Sequence, residues 1–242
     1  MIRRTLNTLV FLLIVIINVL AELLPINGKT TGEISNRIDV LITPAGYAFS
    51  IWSLIYGLIA IWIIRQYVHN RNELPVYTTT SAAFVIGGLL NCTWILVWHY
   101  EFFVASLGVM VAYLISLIIL YKQMKRSNPG FFDIAPFSIN LGWISVATIV
   151  NAAYVLKDNG WNGFGYSDEG WTVIMLVVGT GLAIIFKWKE ADYLYPLVFV
   201  WAYIAIGVKN QDNLEWLAYT AYGLALIIFI VTCIPVKKSN RL

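Results

Sequence analysis

The chain has 242 residues, of which 60% are hydrophobic and 12% charged, with a formal net charge of +3 and a mean hydropathy of +0.75. Soluble domains carry about 25% charged residues. A chain with half that share, its charges gathered in short clusters between long apolar runs, is not a soluble globular domain; it is one membrane domain with lipid as its solvent.

Eight runs approach the roughly 20 residues needed to cross a bilayer core about 30 Å thick: 5–24, 47–66, 79–98, 102–121, 135–156, 171–187, 191–208 and 214–234. They predict an all-α integral membrane protein of about eight transmembrane helices. The first run follows Arg3 and Arg4 and ends near Val19-Leu20-Ala21, a passable cleavage site. Its length reads as a retained helix.

The connection after it, about 25–46, is the longest. Pro25, Asn27, Gly28 and Gly32 make it irregular, while Ile34, Ile38, Val40, Leu41 and Ile42 give it apolar content. Long connections of this kind are often functional, and this one is expected to fold onto the bundle. The second run carries Trp52 and Tyr56 four residues apart, on one face. The third places Asn91, Trp94 and Trp98 on one face, and ends at His99 and Glu101, where a solvated interfacial histidine is expected. The fifth places Pro136, Asn140, Trp143, Ala147 and Asn151 along one stripe. Asparagine is costly in a bilayer unless bonded, so these amides should face the bundle interior.

The last three runs carry fewer signals. Asp133, Pro136, Trp143 and Asn151 are loosely echoed by Asp192, Pro196, Trp201 and Asn210, at unequal spacings that read as coincidence. The segment from Asp158 to Glu169 is a degenerate calcium-loop pattern and reads as a turn-rich connection. Cys92 and Cys233 fall in separate apolar runs and imply neither a disulfide framework nor a metal site.

Cytoplasmic connections carry excess Lys and Arg. With the N-terminus inside, the inner segments hold Arg3, Arg4, Arg65, Arg71, Lys122, Lys125, Arg126, Lys187, Lys189, Lys237, Lys238 and Arg241. The outer segments hold only Lys29, Arg37, Lys157 and Lys209. This bias predicts both termini in the cytoplasm; the expected location is the plasma membrane. It also explains the positive net charge without a nucleic-acid partner. Trp52, Trp94, Trp98, Asn151 and the 25–46 connection then converge on the outer half. An aromatic pocket for a flat, mostly apolar ligand is one reading; interfacial aromatic anchors and interhelical amide contacts are the other.

The order of motifs resembles the TspO/MBR family, the translocator and tryptophan-rich sensory proteins. The family's second helix follows a proline-containing stretch and reads Trp-Thr-x-Leu-Tyr; here Pro44 precedes Trp52-Ser53-Leu54-Ile55-Tyr56. Its third helix carries Leu-Asn-x-x-Trp, matched by Leu90-Asn91-Cys92-Thr93-Trp94, with Trp98-His99 in place of a Phe pair. Its fifth carries Trp and Asn at the spacing of Trp143, Ala147 and Asn151. The family's loop tryptophan falls on Gly46. The resemblance covers about 1–156, and helices 6–8 have no counterpart in five-helix members.

The resemblance implies a five-helix bundle over 1–156, with a three-helix extension over 157–242 packed on the same membrane domain. It implies a membrane ligand-binding or sensory protein. Its pocket would be formed by Pro44, Trp52, Tyr56, Asn91, Trp94, Trp98, Trp143, Ala147 and Asn151, and would take a porphyrin or other planar hydrophobic ligand. No metal or obligatory cofactor is expected, and no residue is identified as catalytic. A homodimer is compatible with the resemblance, although the last three helices would cover a surface that five-helix members use for dimers. A transporter of a small uncharged or amphipathic solute is the alternative, and an enzyme the least supported reading.

Overall fold

A computed structural model describes residues 2–24, 26–68 and 71–236. Pro25, His69, Lys237, Lys238 and Arg241 lie outside the described residues. The long helices are α1 (Ile2–Leu23), α3 (Ile51–Arg65), α5 (Ser81–His99), α6 (Phe103–Arg126), α7 (Phe131–Asp158), α8 (Asp168–Glu190), α9 (Leu194–Asn210) and α10 (Glu215–Cys233). Two short helices, α2 (Thr31–Arg37) and α4 (Pro75–Thr78), lie in connections. Among the described residues, seven segments are long and apolar enough to cross a membrane, α3 being extended by a 3-10 turn over Gly46–Ser50. The eighth, α9, has 17 residues, or about 26 Å at 1.5 Å per residue. The chain is thus an all-helical integral membrane protein.

The helix ends are written in local chemistry. Ser167 caps α8 by accepting from the Gly170 N–H at 3.2 Å, and Asp168, Glu169, Lys187 and Lys189 place charge of the favourable sign at the two termini. Asp192 caps α9 through the N–H groups of Leu194 and Tyr195, at 2.8 and 3.0 Å. Its carboxylate also accepts from Tyr121 at 2.7 Å and Ser138 at 2.8 Å, tying α9 to α6 and α7.

The first five long helices close a ring, in which α1 packs on α3 and α5, α5 on α6, α6 on α7, and α7 back on α3. The other three dock through α9, which lies against α7, α8 and α10. Glycine makes that docking close. A Cβ on Gly142 of α7 would lie 3.0 Å from the Tyr195 carbonyl oxygen, so the α7 and α9 backbones meet with no side chain between them.

Residues 26–50 form a cap over one end of the bundle. Inside it, α2 starts from a capping box: Thr30 Oγ1 accepts from Glu33 N–H at 3.2 Å, and the Glu33 carboxylate accepts from Thr30 N–H at 2.7 Å. At the opposite end, Trp62 is fully buried among Tyr77, Phe84 and Phe137, with ring centroids 5.0–5.3 Å away. Beside this plug, the buried Asp133 carboxylate takes hydrogen bonds from Arg65 (3.2 Å), Arg71 (3.2 Å) and Tyr77 (3.0 Å).

Candidate functional site

The aromatic residues singled out in the sequence gather beneath the cap, on α3, α5 and α7. They occupy two adjoining compartments rather than one. The inner one is a cavity of about 40 Å³, lined by Pro44, Trp94, Trp98, Trp143, Ala147 and Asn151, with Thr31, Ser35 and Phe49 closing it from the cap. The outer one is a cleft of about 440 Å³, lined by Trp52 and Tyr56 together with Asn18, Glu22, Ser53, Thr31 and Phe49. Thr31 and Phe49 border both.

Spacing of four residues stacks the rings in pairs. Trp52 and Tyr56 lie 5.4 Å apart at 18°, and Trp94 and Trp98 lie 5.7 Å apart at 19°. Trp143 meets Phe49 and Trp52 edge-on, at 5.8 and 6.3 Å. Phe49 is the ring shared by the two walls, and Trp143 lines the inner cavity alone.

A ring of five helices carrying aromatic compartments under a cap is the architecture that the motif order implies. A family model described as TSPO-like protein matches residues 4–234. The chain belongs to the TSPO-like family. No curated protein and no solved structure matches it. The matched range runs through α8, α9 and α10 as well as the five-helix ring, further than the motifs on α3, α5 and α7 reach. Membership supports a membrane ligand-binding or sensory role as the broad class of function.

The polar atoms of this TSPO-like site divide into satisfied and unsatisfied sets. Asn151 Nδ2 donates to Ser106 Oγ at 3.2 Å, so that amide joins α7 to α6. Asn140 does the same with Tyr113 at 3.1 Å. Asn91 Oδ1 accepts from Asn18 Nδ2 at 2.9 Å, which sets Asn91 behind the outer cleft rather than on its surface. By contrast, Trp94 Nε1 and Trp98 Nε1 are buried and have no hydrogen-bond partner in the protein, whereas Tyr56 Oη and Asn91 interact with each other behind the cleft. Both indole N–H groups can donate. A buried donor left unmade costs about 1–3 kcal/mol. A guest placing acceptor oxygens among them would relieve that cost.

His99 differs from the sequence expectation. It is fully buried rather than solvated, because α2 lies over it. Nδ1 lies 2.7 Å from the Ile95 carbonyl and Nε2 is 3.5 Å from Thr31 Oγ1, so the ring links α5 to the cap. Asn27 Nδ2 adds a bond to the His99 carbonyl at 3.1 Å. Glu101 receives both Lys29 and Arg37 from the cap, and hydrogen bonding to these two cations holds its carboxyl below the usual range. Among the described residues, no group of three or more His, Cys, Asp or Glu side chains forms a metal site. In the Asp158–Glu169 segment, Asp158 lies 4.0 Å from Arg37, and Asp168 pairs with Lys157 at 2.6 Å.

The second half of the cap rests on α9. Ala45 N–H donates to the Ala205 carbonyl at 3.0 Å, Asn210 Nδ2 to the Leu41 carbonyl at 2.9 Å, and Trp201 Nε1 to the Ala48 carbonyl at 3.1 Å. Sequence reasoning missed this clamp. It also missed Phe49, one turn before Trp52, and α2, although Thr30-Thr31-Gly32-Glu33 is a readable capping box.

Proposed function

We propose that this TSPO-like protein is a membrane receptor for a planar, mostly apolar ligand that carries acceptor oxygens, with porphyrins as the class to test. The observation that carries the reading is the flat Trp52–Tyr56 wall of a 440 Å³ cleft, beside the buried Trp94 and Trp98 N–H donors that have no protein partner. That volume lies within the range of about 300–1,000 Å³ usual for small-molecule sites. The ligand enters sideways between α1 and α3, lies against the Trp52–Tyr56 face, and displaces Phe49 to reach Trp94 and Trp98. Glu22 at the cleft mouth disfavours an anionic group there, so carboxylates on the ligand point toward the buried donors.

Binding rather than transport is favoured by the far end of the bundle, where Trp62 fills the space between α3, α4, α5 and α7 and the Asp133 hub stands beside it. The cap is the element that ligand would order, and α9 is its support. On this reading residues 1–156 bind, residues 157–242 carry the response, and the Lys/Arg bias keeps both termini in the cytoplasm.

The test is a titration of the purified chain in detergent with protoporphyrin IX and haemin, followed by their absorption. Wild type is compared with a Trp52→Leu, Trp94→Leu double variant. Saturable micromolar binding that the double variant loses is the expected result. Non-saturable uptake, or equal uptake by both proteins, would refute the porphyrin assignment and bring the transporter reading forward.

A further inference from the structure

A crevice of about 380 Å³ opens between α3 and α9, with α7 as its floor. Leu54, Ile139 and Leu197 form its apolar walls, and Trp201 closes the end nearest the cap. Trp201 is held there from the cap itself: its Nε1 donates to the Ala48 carbonyl, and its ring meets Tyr47 edge-on at 5.4 Å.

From the crevice an exposed seam runs toward the end of the bundle opposite the cap. At 100° per residue, Leu54, Ile61 and Arg65 fall within about 40° of one another on α3. Phe132 and Ile139 share a face of α7 by the same geometry. The two stripes meet where the Arg65 guanidinium lies 5.8 Å from the Phe132 ring. Leu54, Ile61 and Phe132 are exposed, so α9 does not cover them. The contacts of Asp192 with Ser138 and of Tyr195 with Gly142 explain this. They set the first turn of α9 roughly 8–14 Å beyond Asp133 along α7, and the seam below it is bare.

The seam ends in unbalanced positive charge. Arg65 and Arg71 share one carboxylate, Asp133, so the three side chains carry one excess positive charge. Arg65 gives Asp133 its Nε and Nη2, and Arg71 gives it Nη2. A guanidinium has five N–H groups, so donors remain on both, and Arg71 Nε has no partner in the protein. Glu73 is engaged by Arg3 at 3.9 Å, and Arg4 adds a cation over the Tyr67 ring.

We propose that this seam binds an anionic diacyl phospholipid, with its phosphate on Arg65 and Arg71 and the end of one acyl chain in the crevice. The site is separate from the receptor reading and does not rest on it. Length and charge both select this occupant. Arg65 and Leu54 are about 17 Å apart along α3, close to the thickness of one leaflet's hydrocarbon, about 15 Å. A lipid whose phosphate sits at Arg65 therefore brings its last carbons between Leu54 and Leu197. The arginine fork matches phosphate oxygens, and the excess charge favours an anionic head group over a zwitterionic one. The chain end rests on Trp201, the ring that holds Ala48, so an occupied seam braces the clamp of α9 on the cap.

The test uses the full chain in phosphatidylcholine nanodiscs doped with phosphatidylglycerol that carries a diazirine at the end of one acyl chain. Labelled peptides are mapped by mass spectrometry. Labelling of 51–58 and 194–201 should saturate as the probe fraction rises. At equal fraction it should exceed labelling by a phosphatidylcholine probe with the same chain by about fivefold, the preference expected from one unneutralised cation. Leu54→Trp and Leu197→Trp, both at exposed positions, should each abolish the labelling with the elution profile unchanged. Arg65→Gln and Arg71→Gln, made separately, should each remove the preference for the anionic probe; either folded variant suffices. Labelling that does not saturate and equals that of the lipid-facing Leu9 and Leu12 would mean bulk lipid only, and would overturn the site. Labelling that survives both filling variants would do the same, and a preference retained in the folded arginine variants would overturn the head-group assignment.

Discussion

Replacing Trp94 by Phe separates a ligand site from a packed core by the sign of two measurements. The Trp94 indole is 7% exposed, stacks on Trp98 and leaves Nε1 without a partner. Removing a buried, unsatisfied donor relieves about 1–3 kcal/mol. The smaller ring leaves about 40 Å³, which at ~24 cal/mol per Å³ costs about 1 kcal/mol. The balance lies between roughly zero and 2 kcal/mol in favour of the empty variant, a rise in melting temperature of at most about 4–8 °C for a chain of this size. A ligand that accepts from Nε1 would lose a bond worth about 0.5–1.5 kcal/mol, or roughly 2- to 12-fold in affinity. Thermal unfolding in detergent and an absorption titration with protoporphyrin IX read the two terms separately. The expected signature is unchanged or raised stability together with weaker binding. A melting temperature that falls by several degrees with affinity intact would refute the reasoning, since the indole would then be structural.

Other outcomes follow from the same contacts. Asp133→Asn removes the charge that holds Arg65 and Arg71; breaking a buried pair costs about 3–5 kcal/mol. Because the two Arg side chains are 28% and 29% exposed, the lower end applies, and a loss of less than about 2 °C in melting temperature would show that the hub is dispensable. The cap should loosen in acid. Glu101 is held low by Lys29 and Arg37, and Glu33 by the Thr30 N–H and hydroxyl, so each contributes above its unfolded pKa of about 4.3 and the contribution disappears as pH falls through the lowered folded value. Proteolysis within 26–50 by an acid-active protease should therefore rise only below that range, and Glu101→Gln should flatten the profile; a wild-type rate independent of pH would contradict this. Gly142→Val should cost about 1–3 kcal/mol by overpacking and speed cleavage of 38–46, because it pushes α9, and with it Ala205 and Asn210, away from the cap. Unchanged cleavage in a folded variant would show that α9 does not hold the cap.

Much of this protein follows from local pattern. Apolar runs of bilayer length predict the long helices, and the two ends of α9 are tied within the protein, through Asp192 to α6 and α7 and through Asn210 to the cap. Spacing of three and four puts Trp52 with Tyr56 and Trp94 with Trp98, and the stacked pairs form as that periodicity requires. Apolar residues in the 25–46 connection predict that it folds onto the bundle, and Thr31 and Ile34 are buried there. Periodicity is a property of one helix, however, and says nothing of what stands opposite. Only the packing of α3 and α7 around Phe49 divides the aromatic residues into a small cavity and an open cleft. Only the seat of α2 on α5 buries His99, which from its place at a helix end reads as solvated. The clamp of α9 on the cap joins residues 160 or more positions apart in the chain, through Ala45 with Ala205 and Leu41 with Asn210. Contacts at that separation are set by which helix faces find each other in three dimensions, and one chain's spacing does not record them.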